Sequence, residues 1–257
     1  MTISTVAVIG SGTMGRGIAQ AAALAGHWVV LYDLTEEIVE RGLRTIRHSI
    51  EEGVRRGKTT AEAAAQANAA LTTTTDLVEA ARADLVIEAV PEELELKRKL
   101  FGRLDAAAAP HTILASNTSS LSISAIAAAA HHPARVIGLH FFNPVHLMPL
   151  VEIIRGDRTS DETVAVGHDF IEGLGKTPVL CLDSPGFIVN RVARPFYGEA
   201  FRLLGEQAAD HETIDLLIRS LGFRMGPFEL LDLIGLDVNL AVTQSVYDAF
   251  FLSLIHI

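Results

Sequence analysis

Short runs of β-branched and aliphatic residues, "TVAVIG", "HWVVLYD", "ADLVIEAV", "TILAS", "RVIGLHFF" and "PLVEIIRG", punctuate the chain, most of them separated by longer helical or alanine-rich stretches. Strand alternating with helix predicts a doubly wound, mostly parallel sheet. The exception is the pair at residues 135–142 and 149–156, joined only by "NPVHLM". That connection is too short for a crossover helix and predicts an antiparallel hairpin. His140 stands inside the first of these apolar runs and Glu152 inside the second, so the fold-back places them nearly opposite each other. An ionisable group buried in such a run is costly unless it has a partner. The two either satisfy each other as a core pair or act on something else.

Between Asp33 and the third strand lies a long excursion, "EEIVERGLRTIRHSIEEGVRRGKTTAEAAAQANAAL", whose pattern predicts two helices broken around residues 56–60. After "LGKTPVLCLDSPGF" only helical periodicity follows, with Pro185 and Gly186 as punctuation. A boundary near Asp183 therefore divides an α/β domain, residues 1–183, from an all-helical domain, residues 184–257.

Composition narrows the function class. With 257 residues, 49% of them hydrophobic, the chain has enough apolar material for a substantial core. A formal net charge of -10 argues against a nucleic-acid or anionic-membrane surface, which needs a basic face. The one cysteine, Cys181, has no internal disulfide partner, and the first residues lead into a strand pattern without the features of a signal peptide, which suits a reducing cytoplasm. No apolar run approaches the roughly 20 residues that span a bilayer. Cys181, in the apolar "PVLCLD" strand, is expected in the core rather than as a nucleophile.

The segment "VAVIGSGTMGRGIAQAAALAG" supplies Gly10, Gly12 and Gly15 directly after an apolar strand and at the opening of an amphipathic helix. In that context the first glycine permits a tight turn, the second admits a pyrophosphate to the backbone, and the third allows close packing of helix on strand. The helix N-terminus attracts the anion. Asp33 ends the second strand about 20 residues further on, where an acid accepts hydrogen bonds from the adenosine ribose. The next cation is Arg41, so a 2′-phosphate would meet negative charge, and NAD is favoured over NADP. The fold expected is Rossmann-like.

Four segments, "IGSGTMGRGIAQ", "SNTSSLSIS", "GLHFFNPVHLMPLVEII" and "DSPGFIVNRV", together resemble the 3-hydroxyacyl-CoA dehydrogenase family, in the family's order and at family-like spacing. The final helical segment is most similar to the subgroup associated with phenylacetate degradation and 3-hydroxyadipyl-CoA oxidation. The resemblance implies NAD-dependent oxidation of the 3-hydroxyl of a (3S)-3-hydroxyacyl-CoA, as in fatty acid β-oxidation, by a homodimer assembled through the helical domain. It assigns proton transfer to His140 with Glu152 as carboxylate partner, and contacts to the substrate to Ser119 and Asn190. Thr13, Met14, Glu92, Lys97 and Asn117 join the three glycines and Asp33 around the cofactor. Ser49, Arg56, Lys58 and Asn143 fall at or beside positions that receive the acyl-CoA. No residues are assigned to a metal.

Each position also has a structural alternative. Ser119, Ser120 and Ser122 could cap a helix beginning near Ile123. Glu92, Lys97 and the basic residues of the excursion could be solvated helix charges. His146, in the hairpin loop, needs no role. The ending "LSLIHI" does not resemble the family's continuation and reads as a truncation or a non-native tail. Two other classes stay open: a non-catalytic NAD-binding protein of the eye-lens crystallin kind, and a β-hydroxyacid dehydrogenase with a catalytic lysine.

Overall fold

A computed structural model describes residues 2–251. The ending "LSLIHI", and with it the expectation of a non-native tail, lies outside the described residues. The chain divides into two compact units at Asp183.

Among the described residues, the first unit contains eight strands: β1 (Thr5–Ile9), β2 (Trp28–Tyr32), β3 (Leu71–Thr74), β4 (Leu85–Glu88), β5 (Ile113–Ser116), β6 (Val136–Phe141), β7 (Leu150–Arg155) and β8 (Thr177–Leu182). Its helices are α1 (Thr13–Leu24), α2 (Glu36–Arg55), α3 (Ala61–Ala70), α4 (Leu77–Ala80), α5 (Leu94–Ala107), α6 (Ile123–Ala127) and α7 (Asp161–Gly173). One sheet results, in the order β3-β2-β1-β4-β5-β6-β7-β8. All neighbours run parallel except β6 and β7. The strand order reverses between β1 and β4, the crevice where such sheets bind nucleotides beyond their carboxyl ends.

β3 escapes the apolar pattern because its sequence is "LTTT" and only its ends are buried. It pairs with β2 alone, at the edge of the sheet, where β-branched threonines suit the pleat without needing an apolar face.

The long excursion breaks for local reasons. In α2 the Thr35 hydroxyl accepts the Ile38 amide, Glu36 and Glu37 complement the helix dipole, and Val39, Leu43, Ile46 and Ile50 form the buried stripe. The helix stops at a left-handed Gly57, and Thr60 then caps α3 by accepting the Ala63 amide.

Alternate residues of the strands serve two faces. Val8, Leu31, Ile87, Ala115, Leu139 and Ile153 form one core with α1, α2, α3 and α7. The opposite face holds Glu88, Ser116, His140 and Glu152 at the carboxyl end of β4 to β6 and their neighbour β7, all nearly inaccessible to solvent.

The second unit is helical: α8 (Val189–Gly205), α9 (His211–Ser220), α10 (Pro227–Ile234) and α11 (Leu236–Phe251). The buried Asp215 carboxylate on α9 accepts the Phe228 and Glu229 amides at the start of α10, fixing that pair of helices. No helix of the described residues is long and apolar enough to cross a membrane.

Candidate active site

The glycine turn after β1 has the space that a dinucleotide requires. Gly10 has φ +101°, and a Cβ there would lie 2.8 Å from the Ala89 carbonyl oxygen. A Cβ on Gly15 would lie 1.8 Å from the Gly10 carbonyl oxygen, so only glycine lets α1 sit this close to β1. A Cβ on Gly12 would meet nothing within 4 Å. The close contacts at the outer two glycines are with protein, whereas Gly12 faces open space, as the approach of a pyrophosphate demands. No side chain caps α1 at Gly12, and its first turn holds Thr13, Met14 and Gly15.

At the end of β2, Asp33 Oδ2 accepts from the Ser11 amide at 2.8 Å and the Ser11 hydroxyl at 2.6 Å, while Oδ1 accepts from the Leu34 amide at 2.8 Å. Burial pushes this carboxyl up, but the Ser11 and Leu34 bonds, with the Arg41 charge, outweigh it and hold Asp33 below the usual carboxylate range. It is a fixed negative charge where the adenosine ribose would lie.

The loops after β4 and β5 are tied by buried charges. Lys97, on α5 and 1% exposed, places its ammonium 2.5 Å from Glu88 Oε1 and 3.3 Å from Glu92 Oε2, and donates to the Val90 carbonyl. Ser116 donates to the other Glu88 oxygen at 2.7 Å. Glu92 Oε1 in turn accepts from the Thr118 hydroxyl at 2.5 Å, the Ser119 amide at 2.8 Å and the Ser119 hydroxyl at 3.2 Å. Burial pushes Glu92 up, and Lys97 with these donors more than reverses it. Lys97 is therefore no solvated helix charge. Glu88 and Ser116, which sequence reasoning missed, carry the same signal as His140: a polar side chain in an apolar strand run.

Among the serines, Ser122 caps α6 by accepting the Ala125 amide. Asp183 receives the Ser122 hydroxyl and the Ile123 and Ser124 amides. Ser119 is not the cap: it belongs to the loop held by Glu92. Asn117 accepts the Phe141 amide at 2.9 Å, tying the end of β5 to that of β6.

Across the hairpin, His140 is registered with Glu152. Nδ1 lies 2.7 Å from Glu152 Oε2, and the imidazole packs against Phe142 with ring centroids 4.4 Å apart. With Nδ1–H donated to the carboxylate, Nε2 carries the lone pair. Cys181 is buried, and burial together with the Glu152 and Asp183 charges pushes its thiol up to about 12.

Beyond His140 the hairpin loop meets α1 and α2 in a cleft of about 160 Å³ lined by Thr13, Arg16, Ser49, Asn143 and His146 among others. Lys176 anchors this loop, donating to the Val145 carbonyl at 2.6 Å and the Met148 carbonyl at 2.9 Å. Arg56 is exposed and paired with Glu52, and Lys58 is exposed, so neither lines the cleft. Asn190 lies in the first turn of α8 in the helical unit, where its carbonyl accepts from Arg194.

Residues 5–184 match the family model described as 3-hydroxyacyl-CoA dehydrogenase, NAD binding domain, and residues 186–254 match that of the 3-hydroxyacyl-CoA dehydrogenase, C-terminal domain. The chain is 52% identical over 251 residues to 3-hydroxyadipyl-CoA dehydrogenase of Escherichia coli (strain K12), covering 97% of this chain and 53% of that protein. It is 48% identical over 244 residues to the mitochondrial hydroxyacyl-coenzyme A dehydrogenase of Rattus norvegicus, covering 92% of this chain and 78% of that one. The crystal structure of (S)-3-hydroxybutyryl-CoA dehydrogenase from Ralstonia eutropha superposes with a TM-score of 0.94 at 42% identity, over 97% of this chain and 88% of that one. The chain spans about half the length of the Escherichia coli relative. Two family models in sequence and identities of this size show that the chain belongs to the 3-hydroxyacyl-CoA dehydrogenase family.

Proposed function

We propose that this chain oxidises the 3-hydroxyl of a (3S)-3-hydroxyacyl-CoA to the 3-oxoacyl-CoA with NAD. The observation that carries this is the buried His140–Glu152 pair, held at the carboxyl edge of the same sheet whose glycine turn and Asp33 suit a dinucleotide. Gly10, Gly12 and Gly15, the first turn of α1 and Asp33 would hold NAD, whose nicotinamide, when bound, supplies the acceptor for the hydride leaving C3. His140 Nε2 takes the hydroxyl proton. Glu152 fixes the tautomer that carries its proton on Nδ1 and stabilises the imidazolium that results. Ser119 hydrogen-bonds the reacting oxygen and orients it. Glu92 holds Ser119 in place, and Lys97 serves the cofactor side of the site through Glu92.

Ser49 and Asn143, brought together in the cleft between α1, α2 and the hairpin loop, receive the thioester-linked carrier, with Arg56 and Lys58 as more distant phosphate contacts. The name of the Escherichia coli relative supports a 3-hydroxyadipyl-CoA substrate, while a place in phenylacetate-type degradation rests on the resemblance of the final helical segment. Exposed apolar side chains on the helical unit, such as Leu216, Leu217, Leu221 and Phe223, support assembly as a homodimer. A single cysteine without a disulfide partner suits the cytoplasm. The deciding assay follows NADH oxidation with acetoacetyl-CoA, 3-oxoadipyl-CoA and free acetoacetate. Turnover of the thioesters alone supports the proposal. Turnover of free acetoacetate at equal efficiency points to a different β-hydroxy acid, and binding of NAD without turnover of any points to a non-catalytic protein.

A further inference from the structure

Ser11 is the residue between the first two glycines of the turn, a position where the motif makes no demand. Here it is buried, and both its amide and its hydroxyl reach the same Asp33 oxygen. The Ile38 carbonyl is the other acceptor in reach of the hydroxyl, at 3.4 Å against 2.6 Å, so the proton goes to Asp33. α2 makes room for this side chain: Gly42 packs over it, and a Cβ at Gly42 would lie 2.7 Å from the Ser11 Cβ. A larger residue at position 42 would displace the hydroxyl from the carboxylate.

The consequence is a matter of lone pairs. A carboxylate oxygen accepts about two hydrogen bonds, so Oδ2 is filled by Ser11 and Oδ1, which already takes the Leu34 amide, keeps one site. We propose that Ser11 is a positioning residue for cofactor choice, locking the Asp33 carboxylate in one orientation so that it offers a single acceptor to an adenosine ribose and a fixed negative charge to a 2′-phosphate. This rests on the reading that NAD binds at the glycine turn. A preorganised acceptor loses less freedom when the ligand arrives, and removing the hydroxyl returns that cost to the binding step.

The test is calorimetric titration of the apoprotein with NAD and with NADP, without turnover. Ser11→Ala is expected to weaken NAD roughly 2- to 10-fold, the worth of one hydrogen bond, and NADP less, so that discrimination falls. Added to Asp33→Asn, the same change should cost nothing further, because its effect runs through the carboxylate. Melting temperatures on the same samples, with Ser11→Gly as a second hydroxyl-free variant should Ser11→Ala fold poorly, separate this from general destabilisation. Unchanged or tighter NAD binding by a folded Ser11→Ala, or losses that simply add to those of Asp33→Asn, would overturn the inference while leaving the cofactor reading intact. An unmodified chain that binds no NAD would overturn both.

Discussion

His140 and Glu152 face each other across the antiparallel ladder between β6 and β7, with Nδ1 2.7 Å from Oε2 and both side chains buried. A structural pair and a catalytic pair look the same in such geometry and part company on substitution. If His140 takes the hydroxyl proton, His140→Gln keeps fold and NAD binding while kcat drops about 10²- to 10⁴-fold. Glu152→Gln lowers kcat as well, and the double variant loses less than the product of the singles. Near-normal kcat in folded His140→Gln, with a sharply lowered Tm, would instead mark a structural pair.

Gly12 and Gly15 separate binding from packing. Gly15→Ala forces a methyl group onto the Gly10 carbonyl and should cost about 1–3 kcal/mol of stability or more. Gly12→Ala has room within the protein, so its Tm should stay near that of the unmodified chain while NAD affinity falls. Thermal melts and NAD titrations on the two variants test this; unimpaired NAD binding by Gly12→Ala would show that no pyrophosphate approaches there.

Arg56 and Lys58 lie outside the cleft, one of them paired with Glu52, so any contribution to acyl-CoA binding is electrostatic and at a distance. Replacing both by Ala should raise the acyl-CoA KM at low salt, leave the NAD KM unchanged, and lose its effect as ionic strength rises. An acyl-CoA KM unaffected at low salt would remove them from the site.

With its thiol pushed up to about 12, Cys181 is protonated at neutral pH and shielded from reagents. A thiol-specific colorimetric reagent at neutral pH should leave the native protein unmodified and label one group after unfolding. Rapid stoichiometric labelling of the native chain would contradict the burial.

Asp105 receives Arg135 and the His131 amide. Burial pushes its carboxyl up from 3.8, and these partners bring it below that value. The same opposition lowers Glu92 from 4.5. A folded value below the unfolded one means that the proton binds the unfolded chain more tightly. The stabilisation is therefore full above the unfolded value and drains away as pH falls through the folded one. Denaturant melts should show stability declining below about pH 4.5, less steeply in Asp105→Asn, which is itself destabilised by about 3 kcal/mol because Arg135 loses its buried partner. A decline equally steep in that variant would exclude Asp105 as a source.

Local patterning accounts for much of this molecule. The parallel strands, the hairpin forced by a short connection, and the glycine turn before α1 follow from neighbouring residues, because periodicity and φ preference act within a few positions. The division at Asp183 coincides with a change from strands to helices that is equally local. β3 was less legible, since a polar edge strand takes its partner from residues about 40 positions away. The network of Glu88, Ser116, Lys97, Glu92 and Ser119 joins β4, α5 and the loop after β5, and no spacing in the chain announces that an α5 ammonium lies between two carboxylates. Only folding decides which serine caps α6 and which is held by Glu92, because all the candidates have the same side chain and differ in what the sheet brings beside them. Ser11 is the sharpest instance: its chemistry is invisible until Asp33, from the next strand, and Gly42, from the helix beyond, close around it.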